Sequence, residues 1–201
     1  MLLDLSKAFD SVNHDILLKK LSQLNIQTSW FDRYLKHRSQ SVVLDRRTTS
    51  SPRPVNFGVP QGSILGPVLF LLFINDINCG NPRDNARMTL YADDVQLLFV
   101  RPANQLEELK KDAETALNHI NDWYSSNGLK VNTDKTQCIM LGSKANTRRV
   151  PENFVVDCMG TKISLDNKVK SLGVWFDPNL TFGLHVDKLY SKLNGTLMFL
   201  S

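Results

Sequence analysis

The sequence predicts an α+β fold in which helices pack on one face of an antiparallel sheet. Three observations predict it. The stretch MTLYADDVQLLFV, residues 88–100, contains two strand-like halves that meet at Asp93 and Asp94. A long amphipathic pattern follows, with apolar residues every three or four positions from Leu106 to Tyr124, which is typical of a helix. Short strand-like segments separated by turn residues occupy most of the remaining C-terminal sequence.

The N-terminal third predicts alternating short strands and helices. MLLDL reads as a buried strand, and Asn13 caps a helix that runs to about Asn25. Thr28 or Ser29 begins a second helix, which carries an aromatic cluster. SVVLD, residues 41–45, predicts a short strand, and the Ser-, Thr-, Arg- and Pro-rich residues after it predict a loop.

The central and C-terminal parts continue the mixture. Residues 63–77 are hydrophobic on nearly all sides and therefore predict a buried helix. Asn104 caps the long amphipathic helix, with Glu107 at the third helical position, and Gly128 ends it. Further strands are expected at 130–131, 138–141, 154–156 and 171–175, and a last helix from about Gly183.

Composition excludes several classes of protein. The 201 residues are 42% hydrophobic and 22% charged, with a net charge of +4, which is an ordinary globular balance. Cys79, Cys138 and Cys158 are far apart and in no C-x-x-C pair, so neither a disulfide framework nor a zinc site is expected. The longest apolar run, residues 64–74, is too short to cross a bilayer. We therefore expect an intracellular protein, in the nucleus or cytoplasm, that is not secreted and does not contact a membrane.

Two adjacent aspartates in an apolar hairpin require an explanation. Asp93 and Asp94 repel each other, and burying either carboxylate is costly unless a partner offsets the cost. A solvated turn is one interpretation, since aspartate favours turns. A divalent cation is the other, and Asp4 in the strand-like LLDL repeats the pattern. Oxygen ligands alone suit Mg²⁺, and two such ions a few Å apart are a known arrangement for phosphoryl transfer.

The segment GVPQGSILGP, residues 58–67, precedes the predicted buried helix. Glycines on both sides of Gln61 indicate a backbone that a flat group approaches closely. An ordinary loop-to-helix turn is the alternative.

Five segments in this order resemble the palm of a reverse transcriptase: DLSKAFDSV, GVPQGSILGP, YADD, GLKVNTDKTQ and KSLGV. The resemblance covers essentially the whole chain. It is strongest to non-LTR (LINE-type) retrotransposons of animals, in the style of jockey and CR1. It implies a polymerase palm over residues 1–180, with a primer-grip-like hairpin, and the start of a thumb helix over 181–201. It also implies that fingers, which normally precede LLDLSKAFD, are largely missing and that the thumb is incomplete.

The resemblance assigns roles to individual residues. Asp4 and Asp93 would bridge two Mg²⁺ ions, for which Mn²⁺ can substitute, with Asp94 as a supporting acid. Phe9 would exclude ribonucleotides by contact with the sugar. The further assignments concern the turn Leu5, Ser6, Lys7, Ala8 and Phe9 at the triphosphate, Gln61 and Gly62 beneath the nascent base pair, Lys135 at the leaving pyrophosphate, and Leu172 and Gly173 at the primer. Lys135 has a plainer interpretation as a solvated lysine, and Phe9 as a core residue.

The implied function is RNA-directed DNA polymerisation. An RNA template, a DNA primer and deoxynucleoside triphosphates would be the partners. The alternative is a catalytically inactive retroelement remnant, at most a metal- or nucleic-acid-binding module. Because fingers and a full thumb would supply most triphosphate and primer contacts, we expect residues 1–201 alone to show little or no processive polymerisation.

Overall fold

A computed structural model describes residues 1–45, 48–78 and 86–198 as mixed helices and antiparallel sheets. The strands are β1 (Leu2–Leu5), β2 (Ser39–Gln40), β3 (Arg53–Pro54), β4 (Ala86–Tyr91), β5 (Asp94–Phe99), β6 (Val131–Gln137), β7 (Val155–Cys158), β8 (Thr161–Ser164), β9 (Val169–Ser171) and β10 (Val174–Phe176). The helices are α1 (His14–Gln23), α2 (Ser29–Leu35), α3 (Leu65–Ile74), α4 (Leu106–Ser126), α5 (Lys144–Thr147) and α6 (Gly183–Met198), and a 3₁₀ turn covers Ala8–Ser11.

The main sheet has four antiparallel strands in the order β4-β5-β1-β6. Leu3 pairs with Val95, and Leu5 pairs with Val131, and all four side chains are buried. Because successive side chains of a strand point to opposite faces, this register assigns one face of the sheet to the core. The other face, which carries Asp4 and Asp94, is only partly covered.

Three helices complete the core behind the buried face. α1 contributes Leu17 and Leu21, and the long helix α4 contributes Leu117, Ile120 and Tyr124. α3 adds a further group of fully buried side chains, Leu69, Phe70 and Phe73. The expectation of helices and antiparallel sheet is confirmed.

Burial of the strands differs from the prediction. We predicted that MLLDL is a buried strand and that Asp93 and Asp94 lie in an apolar hairpin. Instead, β1 alternates between half-buried and buried residues, and Asp94 is exposed at the start of β5. The carboxylates lie on the open face of the sheet, where water still solvates them.

The helix at 63–77 is shorter and less enclosed than predicted. α3 begins at Leu65, and its outer residues Val68 and Leu71 are about half exposed. Ile64, just before it, is 92% exposed. An apolar pattern on all sides therefore did not predict complete burial.

Several predicted boundaries are wrong. The strand expected at 41–45 is replaced by the two-residue strands β2 and β3, which close a longer hairpin with a bridge between Val43 and Thr49. Residues 46 and 47 of its predicted loop lie outside the described residues. The helix α4 starts after Gln105, not Asn104, and no side chain caps it. Its predicted end is confirmed, because Gly128 adopts a left-handed conformation (φ 72°) just beyond it.

The C-terminal strands also differ. β6 extends to Gln137, so the strand expected at 130–131 was too short, and the one expected at 138–141 is absent apart from a single bridge from Cys138 to Leu165. The strand expected at 171–175 is two strands, β9 and β10, joined through Leu172 and Gly173. Both turn residues have positive φ, 46° and 88°, as a two-residue hairpin turn of this hand requires. The helix from Gly183 is confirmed, whereas residues 199–201 lie outside the described residues.

Candidate active site

Strand register brings two of the three aspartates, Asp4 and Asp94, together on the open face of the sheet, and Asp93 lies in the turn just before Asp94. Leu2 pairs with Gln96 and Leu3 with Val95, so continuing the register by one position sets Asp4 beside Asp94. Tyr91 pairs with Asp94 across a two-residue turn of Ala92 and Asp93. A separation of about ninety residues in sequence is therefore closed by the pairing of two neighbouring strands.

A pocket of about 210 Å³ lies on this face. Asp4, Asp94 and Lys135 line it, together with Gln96, Gln137 and Lys170. The Lys135 Nζ lies 3.8 Å from Asp4 Oδ2, and the side chains are 70% and 35% exposed. An ammonium group therefore stands near one of the candidate metal ligands and offsets part of its charge.

Electrostatics of the pocket reflect the crowding of carboxylates. Partial burial and then the negative charges of Asp93 and Asp4 raise the pKa of the Asp94 carboxyl above its ordinary value. Like charges that close together favour a bound cation over the empty arrangement. The donor set is oxygen only, which suits Mg²⁺ or Mn²⁺. Among the described residues, however, no three acidic, histidine or cysteine side chains converge tightly enough to form a ready-made metal cluster.

The hairpin of β9 and β10 is anchored to the four-stranded sheet beside the pocket. Gln96 Nε2 donates a hydrogen bond of 2.7 Å to Ser171 Oγ, immediately before Leu172 and Gly173. Ser171 and Lys170 both line the pocket. Sequence reasoning missed Gln96 and Lys170. Gln96 could have been found, because it lies two positions after Asp94 and therefore shares its face of the strand.

The turn after β1 brings the next group of predicted residues together. Lys7 adopts a left-handed conformation (φ 49°), and Asp10 N donates to its carbonyl at 3.0 Å. The Ser6 amide donates to the Lys130 carbonyl at 2.9 Å and is therefore occupied. Leu5, also part of the predicted triphosphate-binding turn, belongs to β1, so the amides of Lys7, Ala8 and Phe9 are the candidates that lie in the turn itself.

Phe9 lies in the turn after β1 and Gln61 in the loop before α3, and neither residue lines the pocket. The Phe9 ring is half buried and stacks on Phe70 with 4.4 Å between ring centroids. Val59 N donates to the Phe9 carbonyl at 2.8 Å, which joins the loop before α3 to this turn. Gln61 is exposed, and its Nε2 donates to Asp10 Oδ1 at 3.1 Å. Packing against Phe70 gives Phe9 a structural role, and its contact with a nucleotide sugar stays a prediction.

Comparison with known proteins identifies the class. Residues 1–176 match the family model of reverse transcriptase (RNA-dependent DNA polymerase). The chain therefore belongs to the reverse transcriptase family, as the five sequence segments predicted.

Named relatives narrow the class to non-LTR retroelements. The chain is 33% identical over 194 residues to the probable RNA-directed DNA polymerase from transposon BS of Drosophila melanogaster, covering 92% of this chain and 20% of that protein. It is 27% identical to the RNA-directed DNA polymerase from mobile element jockey of the same species, covering 93% of this chain and 20% of that protein. A retrotransposable element R1 polyprotein of Nasonia vitripennis is 33% identical, with 70% and 41% covered. The chain thus spans about a fifth of the BS and jockey proteins.

No helix among the described residues is long and apolar enough to cross a membrane.

Proposed function

We propose that this chain carries the palm of an RNA-directed DNA polymerase, which adds deoxynucleotides to a primer 3′-hydroxyl opposite an RNA template. In this proposal residues 1–180 form the palm, and 181–201 begin a thumb helix. The observation that supports it most directly is the β1–β5 register, which aligns Asp4 with Asp94 on an open sheet face. Family membership supports the same activity.

In the proposed mechanism Asp4, Asp93 and Asp94 hold two Mg²⁺ ions, with Mn²⁺ as a substitute. Bound there, such ions activate the 3′-hydroxyl and neutralise phosphate charge. The 3′-oxygen then bonds to the α-phosphorus of the nucleotide as the bond to pyrophosphate breaks. Lys135, near Asp4, stabilises or protonates the departing pyrophosphate.

Other residues position the reactants. The backbone amides of Lys7, Ala8 and Phe9, in the turn after β1, bind the triphosphate, and the Phe9 ring excludes a 2′-hydroxyl. Gln61 and Gly62 support the nascent base pair. The hairpin turn of Leu172 and Gly173, tied to β5 through Gln96 and Ser171, holds the primer end. Positioning of this kind supplies much of the rate enhancement in phosphoryl transfer.

Primer extension on an RNA template with Mg²⁺ tests the proposal. We expect nucleotide addition by the chain in enzyme excess and a loss of at least about a hundredfold in Asp93→Ala, the scale of removing one electrostatic stabiliser. Asp122→Ala, an exposed aspartate on α4, is the matched control and should retain activity. Addition that survives Asp93→Ala would contradict the proposal. Metal or nucleic-acid binding without any addition would favour the inactive remnant.

A further inference from the structure

The loop before α3 is locked to the turn after β1 by backbone contacts. Gly58 N donates to the Val12 carbonyl at 2.7 Å, next to the Val59–Phe9 hydrogen bond. His14, which is only 4% exposed, lies with Nε2 2.8 Å from the Gly58 carbonyl. Because a carbonyl only accepts, this nitrogen carries the proton and donates. These hydrogen bonds hold the loop before α3 against the turn after β1, although the two segments lie more than forty residues apart in the sequence.

Gly58 makes this approach possible. Its φ is +88°, and a Cβ on it would stand 3.0 Å from both the Cα and the carbonyl oxygen of Asp10. A side chain here would push the two backbones apart. The glycine therefore brings the loop directly against Asp10.

One side-chain hydrogen bond spans the resulting junction. Gln61 Nε2 donates to Asp10 Oδ1 at 3.1 Å. A carboxylate only accepts, so it selects the NH₂ end of the amide. The opposite end, Oε1, is left as an acceptor for a ligand. The junction already fixes both backbones, so only the side-chain rotamers of Gln61 and Asp10 remain to be ordered.

We propose that Asp10 is a positioning residue that orients the Gln61 amide, so that Gln61 presents its carbonyl oxygen and not its NH₂ group to the incoming nucleotide. This inference rests on the proposed function. Asp10 itself touches neither substrate nor metal in this scheme and acts only through Gln61.

A double-mutant cycle separates this role from a merely structural one. Single-nucleotide addition on primed RNA would be measured for Asp10→Ala, Asp10→Asn, Gln61→Ala and the double variant Asp10→Ala/Gln61→Ala, with Asp122→Ala as control. We expect Asp10→Ala to raise KM for the nucleotide roughly two- to tenfold with little change in kcat, the scale of one hydrogen bond. Asp10→Asn keeps an acceptor oxygen and should restore KM. In the Gln61→Ala background, Asp10→Ala should add nothing.

Additive effects in the cycle, or equal damage from Asp10→Asn and Asp10→Ala, would overturn the inference. Absence of any nucleotide addition by the wild-type chain would instead count against the proposed function. The hydrogen bond is then tested by itself, through the Gln61 side-chain amide resonances of ¹⁵N-labelled protein. A shift of these resonances in Asp10→Ala, with a smaller shift in Asp10→Asn, supports the positioning role. Unchanged resonances in Asp10→Ala overturn it.

Discussion

Asp4 shows that a carboxylate in a strand can stay partly solvated, because successive side chains point to opposite faces of the sheet. Asp4 follows the buried Leu3 and precedes the buried Leu5, yet its own side chain is about one-third exposed. The prediction of a uniformly buried strand therefore overestimated the free-energy cost of removing the Asp4 carboxylate from water. At Asp94 partial burial still raises the pKa of the carboxyl, and the negative charges of Asp93 and Asp4 raise it further.

Asp94→Asn should stabilise the metal-free protein. The folded-state pKa of Asp94 is raised, so its charged form costs stability at pH values above that pKa, and the cost is relieved as pH falls through it. Removing the charge should raise the free energy of unfolding by about 0.2–1 kcal/mol, the range of exposed charge pairs. Chemical denaturation at pH 7 in EDTA measures it. Adding Mg²⁺ should stabilise the wild type more than the variant, and a destabilised Asp94→Asn in EDTA would argue against this account.

Phe9 should contribute both to stability and to sugar selection. Phe9→Ala removes a ring that stacks on Phe70, and because Phe9 is only half buried, the loss should fall below the about 3–5 kcal/mol of a fully buried phenylalanine. Incorporation of ribonucleotides relative to deoxyribonucleotides should also rise. Phe73→Leu is the matched control, because Phe73 is fully buried on the same helix with its ring against Lys20, and the change should affect stability alone. Unchanged sugar discrimination in Phe9→Ala would leave Phe9 a packing residue only.

Among the secondary-structure elements, three helices meet at one lysine, Lys20, whose side chain is only 11% exposed. Lys20 on α1 donates to the Phe73 carbonyl at 2.8 Å and pairs with Asp76 at 2.6 Å near the end of α3. Its Nζ also lies 4.4 Å from the centroid of the Trp123 ring on α4. A cation near the last carbonyls of a helix offsets the helix dipole. Through these contacts Lys20 links α1, α3 and α4, the helices that support the buried face of the sheet.

Lys20→Met should destabilise the protein by about 1–3 kcal/mol, because it leaves the Phe73 carbonyl and Asp76 without their charged partner. Burial lowers the pKa of Lys20 from its ordinary 10.5, and Asp76 opposes the shift only in part. Between the lowered pKa and 10.5 the unfolded chain binds more protons, so wild-type stability should rise with pH in that window.

Urea denaturation of wild type and Lys20→Met across the alkaline range measures this difference. The exposed neighbour Lys19→Met serves as control and should show neither effect. A stability difference between wild type and Lys20→Met that stays flat with pH would contradict the assignment.

Elements with strong local signals were predictable, and those that depend on partners were not. The paired strands around Asp93 and the helix from Gly183 follow from apolar periodicity and turn residues. β6 was predicted too short because NTDKTQ is polar, and its strand conformation depends on pairing with β1. Tertiary pairing of this kind overrides local propensity. The same limit applies to the contact of Gln61 with Asp10, which joins side chains 51 positions apart.

At the scale of the whole molecule, a sheet with one buried and one open face organises the protein. Helices α1, α3 and α4 support the buried face, and the open face carries Asp4, Asp94, Lys135 and the anchored hairpin. The five segments predicted the family, which the match over residues 1–176 confirms. Roles of individual residues could be predicted only through that resemblance, since a double aspartate alone is also typical of a solvated turn.

We propose that Asp4, Asp93 and Asp94 form one divalent-cation site. Mn²⁺ is paramagnetic and broadens the NMR signals of nearby nuclei, so titrating it into ¹⁵N-labelled protein locates bound metal directly. Wild type and the control Asp122→Ala should show broadening centred on residues 3–5 and 92–95, and Asp93→Ala should lose most of it. Broadening centred elsewhere, or unaffected by Asp93→Ala, would contradict the claim.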